Sequence, residues 1–265
     1  MVQKLFSLYT HPEESHQLHI EVGKAHLACW CTGNEEAFTA LEYFTFSYDG
    51  TEGGFVDVFR ELKRCSILLS HRFPSPEIVW ENASFMCVPN QFFTEERAVD
   101  YLDLVTSQAY QSAPMYDTLP HFTLTYTADS VLYKIITQNI PDASHTHKLQ
   151  HLLKQQKENE TSALNLQFYQ SYFLLTAVKN GQLQLATVYH FTTPHEAVYH
   201  ILNTLDKLNM KRDDTTVYLS GFIDESSALY KEIYLYVNNL TFTKTGKLNA
   251  EYPAHYFTTY NLPVA

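Results

Sequence analysis

LHIEVGKAHLACWC at residues 18–31 and LNLQFYQSYFLLTA at residues 164–177 decide how this chain reads, because the second lies on the first at an offset of 146, which is 164 minus 18. The overlay brings Ile20 onto Leu166, Val22 onto Phe168, Leu27 onto Phe173 and Cys31 onto Ala177. Beyond the quoted stretches it brings Asn34 onto Asn180 and Tyr43 onto Tyr189. Apolar positions and a turn asparagine stay in register over about 25 residues, as expected of one supersecondary pattern used twice. Few residues are identical, so the rival reading is a pair of unrelated β-meanders.

Around the first copy, three alternating runs, His16 to Val22, Ala25 to Thr32 and Phe38 to Tyr48, predict an antiparallel meander. Phe55, Phe59, Leu62, Cys65 and Leu69 then recur at helical spacing and predict a helix to about Arg72, stopped by Pro74 and Pro76. A strand pair, Glu77 to Trp80 and Ser84 to Val88, precedes a helix that Thr94 can cap, with Glu95 and Glu96 in its first turn. In the second copy Asn180-Gly181 joins two strands as a tight hairpin. Thr193, Pro194 and Glu196 supply an N-cap, a first-turn proline and a capping-box acid for a helix through Ala197, Ile201, Leu205 and Leu208. A strand from Thr216 ends at Gly221, and Asp224 can cap a last helix lined by Leu229, Ile233 and Val237.

Between the copies, Tyr116 to Thr127 reads as extended, Asp129 caps a helix that stops at Pro141, and a polar helix around Leu149, Leu152 and Leu153 runs into KQQKENETS, Lys154 to Ser162. That polar stretch is linker-like. The domains are therefore expected at 1–160, with 110–160 as a connecting region, and at 161–265.

Hydrophobic residues make up 45% and charged ones 18%, which is the balance of a globular chain. The net charge of -11, without a Lys/Arg block, argues against nucleic acid and anionic membrane surfaces, which need concentrated positive charge. No run approaches the roughly 20 apolar residues of a membrane span, and Met1 to Glu14 has no apolar leader core. The expected location is cytoplasmic. Cys29, Cys31, Cys65 and Cys87 lack ligand-like spacing and read as buried structural thiols. His145, His147 and His151 have no carboxylate or cysteine at ligand spacing, so they read as a solvated helix start and no metal is expected. His195 and His200, five apart, do not pair, and no Ser or Cys has a readable base partner.

Three meandering strands, a helix, a fourth strand and a further helix, occurring twice, resemble the ribonuclease-H-like domain pair of the actin-like ATPase superfamily. The chain is similar in particular to a family of uncharacterised Bacteroidetes proteins assigned that fold. The motifs that carry the likeness are Met86-Cys87-Val88-Pro89-Asn90-Gln91-Phe92-Phe93, the segment from Val131-Leu132-Tyr133 to Pro141 followed by His145, and Leu219-Ser220-Gly221. The resemblance implies an α/β fold of two ribonuclease-H-like domains in an actin-like arrangement, with ATP between them. It also implies an Asp-x-Gly turn on each domain at the phosphates, and a Gly-rich turn at the adenosine.

Glycine there lets backbone N–H groups reach phosphate oxygens, and the acid holds Mg²⁺ through water. The first turn, Glu21-Val22-Gly23-Lys24, keeps an acid, a glycine and a cation. The second, Gln167-Phe168-Tyr169-Gln170, keeps neither carboxylate nor glycine, and Leu219-Ser220-Gly221-Phe222 keeps one glycine. With eight glycines in the chain, no other loop can take over. Glu21, Gly23, Lys24, Gln167, Gln170 and Gly221 are thus the candidate cleft positions. Gly23 also reads as a plain hairpin glycine and Lys24 as a solvated side chain.

No cofactor and no catalytic residue are expected, with ATP/Mg as the alternative. The expected role is a non-catalytic interaction or scaffold module with a protein partner, a homodimer being open. The alternative role is a nucleotide-binding switch or small-molecule kinase. Tyr230, Tyr234, Tyr236 and Phe242, with Tyr252, Tyr256, Phe257 and Tyr260 in the tail, read as aromatics packing back on their own domain.

Overall fold

A computed structural model describes residues 1–9, 17–33, 38–81, 84–107, 114–154, 162–243 and 256. The chain divides into two units, Met1–Lys154 and Gln155–Ala265. In chain order the first carries β1 (Val2–Tyr9), β2 (Gln17–Val22), β3 (His26–Thr32), β4 (Phe38–Phe46), α1 (Glu52–Cys65), α2 (Ile67–Ser70), β5 (Glu77–Trp80), β6 (Phe85–Pro89), α3 (Ala98–Asp103), β7 (Met115–Thr118), β8 (Phe122–Tyr126), α4 (Ser130–Asn139), β9 (Ser144–His147) and α5 (Lys148–Lys154).

Six of these strands form one sheet in the order β1-β4-β3-β2-β5-β9. The first four pair antiparallel, while β2-β5 and β5-β9 are parallel. On β2, Leu18, Ile20 and Val22 alternate with His19 and Glu21, so the sheet has one apolar face and one polar face. Helix α1 buries Phe55, Val58, Phe59 and Leu62, with Phe55 against Phe46 of β4. The polar face meets Lys148 and His151 of α5. Strands β6, β8 and β7 make a separate small antiparallel sheet between β5 and α4.

The second unit carries β10 (Ser162–Phe168), β11 (Tyr172–Lys179), β12 (Gln182–His190), α6 (Pro194–Lys207), β13 (Thr216–Gly221), α7 (Ala228–Tyr234) and β14 (Leu240–Phe242). Its sheet order, β12-β11-β10-β13-β14, repeats β4-β3-β2-β5-β9 strand for strand and direction for direction. The register repeats too. Leu18 faces Cys31 and Ile20 faces Cys29, while Leu164 faces Ala177 and Leu166 faces Leu175, all at the offset of 146. Even the turn hydrogen bond recurs, from Gly23 N to His26 O at 3.0 Å and from Tyr169 N to Tyr172 O at 2.9 Å. The apolar face of β10 packs with Ile201, Leu205 and Ile233 into the second core.

The hairpin at Asn180-Gly181 has positive φ at both residues, 54° and 72°, as a tight right-twisted turn requires. Asp129 caps α4, and Thr193 caps α6 behind Pro194. The capping-box acid reaches one residue further back as well, since Glu196 accepts from the backbone N–H and hydroxyl of Thr192. Asn34 lies outside the described residues.

Several expectations are corrected. The helix drawn to Arg72 breaks at Ser66, whose backbone N–H closes α1 on Leu62 O and whose hydroxyl caps α2 by accepting from Leu69 N–H. Glu77–Trp80 and Phe85–Pro89 belong to different sheets and do not pair. Thr94 makes no side-chain cap, and a 3-10 turn at Glu95–Arg97 precedes α3. Ser227, not Asp224, caps α7. The alternation of the sequence does not predict β1 or β9. The first is bulged between Lys4 and Phe6 and lacks clean alternation, and the second, Ser-His-Thr-His, has no apolar residue to read.

Candidate functional site

Glu21 sits near the end of β2, beside the turn Gly23-Lys24-Ala25, and its side chain is fully buried. Its Oε2 accepts from Lys148 Nζ, and its Oε1 lies 2.9 Å from His26 Nε2. Lys148 is also fully buried, with Nζ 5.6 Å from the centre of the Trp30 ring, and His26 stacks on Tyr43 at 5.4 Å. Burial alone would raise the carboxyl pKa. The Lys148 charge and the His26 hydrogen bond outweigh it and hold the group down at about 2.

A Cβ on Gly23 would lie 2.2 Å from His26 Cε1, so the glycine leaves room for the imidazole that engages Glu21. Lys24 is exposed. The first turn thus brings Glu21 and Gly23 together around His26 and leaves Lys24 outside. Lys148, the residue that neutralises Glu21, is 127 residues away and has no local sequence signal.

In the second unit Gln167 is buried and accepts from Ser220 Oγ at 2.6 Å. Gly221 has φ +78°, and a Cβ there would lie 2.1 Å from Phe168 O and 2.7 Å from Gln167 Nε2. Phe222 N donates to that same carbonyl at 2.9 Å. Gly221 therefore closes β13 tightly against the end of β10, in the register position that Trp80 occupies in the first unit. Tyr169 is buried and stacks on Tyr172 at 4.7 Å, while Gln170 is exposed. Gln167 and Gly221 meet, and Gln170 stands apart.

The three histidines read as a solvated helix start are instead on strand and helix, with His147 and His151 buried, because β9 inserts into the sheet ahead of α5. His145 stacks on Trp80 and accepts its indole N–H at 3.0 Å, and burial lowers its pKa. His147 packs between Phe85 and Tyr126. His151 leaves both and meets His19 and Glu77, which face each other across β2 and β5.

There, His19 Nδ1 is 2.7 Å and His151 Nε2 3.2 Å from the same oxygen, Glu77 Oε2. His19 Nε2 lies 3.0 Å from Thr32 Oγ1, and the ring stacks on Trp30 at 5.0 Å. Burial would raise the Glu77 pKa, but His151 and His19 pull it well below the usual carboxylate range. A groove of about 830 Å³, lined by Leu18, Ile20, Lys63, His71 and Asp142 among others, opens beside the apolar face of β2, and none of His19, Glu77 and His151 lines it.

Among the remaining expectations, Cys29 and Cys31 are buried thiols, the latter pushed up to about 12 by burial, but Cys65 is exposed. Tyr256 donates to Asp224 and packs on Phe222, which is tail on its own unit. Tyr230 stacks on Phe242 at 5.5 Å. Tyr252, Phe257 and Tyr260 lie outside the described residues.

The profile of a family described as "Protein of unknown function (DUF3822)" matches residues 7–240. No curated protein sequence matches the chain. Among solved structures, the chain is similar to a Bacteroides thetaiotaomicron protein with an actin-like ATPase fold and unknown function, at 14% identity and TM-score 0.76, covering 87% of this chain and 91% of that one. It is also similar to a chain of the PilM-PilN type IV pilus biogenesis complex, at 12% identity and TM-score 0.60, covering 88% and 89%. A third is the cytoplasmic domain of EpsL, an inner membrane component of the Vibrio cholerae type II secretion system, at 8% identity and TM-score 0.50, covering 88% and 90%. The chain has the α/β fold of the actin-like ATPase superfamily, with two similarly built lobes. Among the described residues, no helix is long and apolar enough to cross a membrane.

Proposed function

This chain belongs to the DUF3822 family of proteins of unknown function, and we propose that it works as a non-catalytic interaction module, two ribonuclease-H-like lobes that do not turn over ATP. One observation carries the reading: Glu21, the acid of the first turn, is sealed from water and engaged by Lys148 and His26. Mg²⁺ needs oxygen donors and keeps several waters, and a carboxylate already matched by a buried ammonium offers it little. On the second lobe Tyr169 replaces the turn glycine, and the space beside Gly221 is filled by the Phe168 carbonyl. The residues present do not fit ATP with Mg²⁺.

A protein partner, in the cytoplasm, is the corresponding expectation. The PilM-PilN complex and the EpsL cytoplasmic domain are examples of this fold placed in assemblies, which supports the reading by analogy of fold alone. The net charge of -11 favours a partner that presents basic residues. Calorimetric titration with Mg-ATP is expected to show no binding tighter than about 100 μM, about -5.5 kcal/mol. Tighter, magnesium-dependent binding would refute the proposal and restore the nucleotide switch or kinase reading.

A further inference from the structure

We propose that His19, Glu77 and His151 are the protein ligands of a zinc site that fastens α5 to the sheet of the first unit. The three groups come from the two adjacent strands β2 and β5 and from the helix that ends the unit, and their donor atoms all lie within 4.8 Å of one another. Two imidazoles and one carboxylate form a borderline donor set suited to Zn²⁺, with a fourth position left for water. Donors on a tetrahedron around zinc stand about 3.4 Å apart. The separations of 2.7 and 3.2 Å lie within about 0.7 Å of that value, within reach of side-chain adjustment.

The surroundings favour a cation over ordinary packing. His151 is 6% exposed, and its Nε2 is aimed at Glu77 Oε2 from 3.2 Å, at the long end of a charge-assisted contact. Coordination by both imidazoles would replace that long contact with two directed bonds to one ion. On the other ligand, Thr32 Oγ1 can accept from His19 Nε2–H, which turns the Nδ1 lone pair toward Glu77, the second-layer contact that metal-binding imidazoles commonly have. His19 and Glu77 are register partners in a parallel pair, so backbone hydrogen bonds fix their spacing. The Glu77 side chain is 17% exposed, which provides an entry path and a place for the fourth ligand. The site uses neither Lys148 nor the second lobe, so it stands or falls independently of the proposed lack of ATP turnover.

The test is titration of the metal-stripped full chain with ZnCl₂ alone, read by calorimetry and by thermal unfolding. One equivalent is expected to bind, Zn²⁺ is expected to raise the unfolding temperature, and Glu77→Gln and His151→Gln are expected to bind at least about tenfold more weakly. Absence of stoichiometric binding overturns the site, as does binding unchanged in both variants, which would place the ion elsewhere among the 13 histidines. Should neither variant fold by circular dichroism, X-ray absorption of the zinc-loaded wild-type chain decides. Two imidazole shells with oxygen at about 2.0–2.1 Å support the site, and sulfur or a different imidazole number overturns it.

Discussion

Lys148 and Glu21 have surrendered their water to each other, and each is a liability without its partner. Lys148→Met is expected to cost about 3–5 kcal/mol in a denaturant titration, because it strands a buried carboxylate. The double variant Glu21→Gln/Lys148→Met should recover a large part of that loss, and simple additivity would speak against the pairing. Two glycines with nearly the same φ offer a second comparison. Gly50, φ +79°, faces open space, whereas at Gly221 an added Cβ meets the Phe168 carbonyl. Gly50→Ala should cost about 1 kcal/mol of backbone strain and Gly221→Ala distinctly more, and equal losses would mean that β10 yields freely. At this scale the sequence marks Glu21, Gly23, Gln167 and Gly221 as positions of interest. It does not name Lys148, His26 or Ser220 as their partners, because pairing depends on which strands become neighbours.

The break between α1 and α2 shows how one carboxylate can organise two elements. Glu42 accepts from Lys4 Nζ at 2.6 Å, Tyr9 OH and Ser66 Oγ at 2.5 Å, and the backbone N–H groups of Ile67 and Leu68 at 3.2 and 3.1 Å. It thereby ties β1 and the start of α2 to β4, which is why helical periodicity running on to Leu69 did not reveal the interruption. Burial would raise the Glu42 pKa, but the hydrogen bonds from Lys4, Ser66 and Tyr9 win and lower it below 4.5. A folded value below the unfolded one means that stability is fully present above about 4.5 and drains away as pH falls through the folded value. The other titratable groups facing Glu42 are Lys4, Cys29, Cys31 and Tyr9. Cys31 and Tyr9 are pushed up to about 12 and Cys29 also rises, so these three do not titrate in acid. Urea midpoints from about pH 6 to about pH 3 should therefore fall less steeply in Glu42→Gln than in the wild type. Parallel slopes would remove Glu42 from the acid response.

For the molecule as a whole, the duplicated ladder was legible because alternation of apolar residues is a local signal, and LHIEVGKAHLACWC and LNLQFYQSYFLLTA both carry it. The His19–Glu77–His151 cluster was not. Its members are scattered over the chain, 58 residues separating the first two, and spacing alone places His151 with His145 and His147 rather than with His19 and Glu77. The edge strand β1 and the polar strand β9 escaped for the related reason that their pairing is decided by neighbours rather than by their own pattern. What repeats is the backbone and the apolar face, while the opposite faces diverge. The first presents His19, Glu21 and Glu77 to Lys148 and His151, and the second presents Asn165, Gln167, Thr176 and Ser220 to one another. Identical scaffolding has thus been given two vocabularies. Behind β2 and β5 the first is written in carboxylates and imidazoles, behind β10 and β13 the second in neutral amides and hydroxyls, so the polar face of one ladder carries charge and that of its twin is held by uncharged hydrogen bonds.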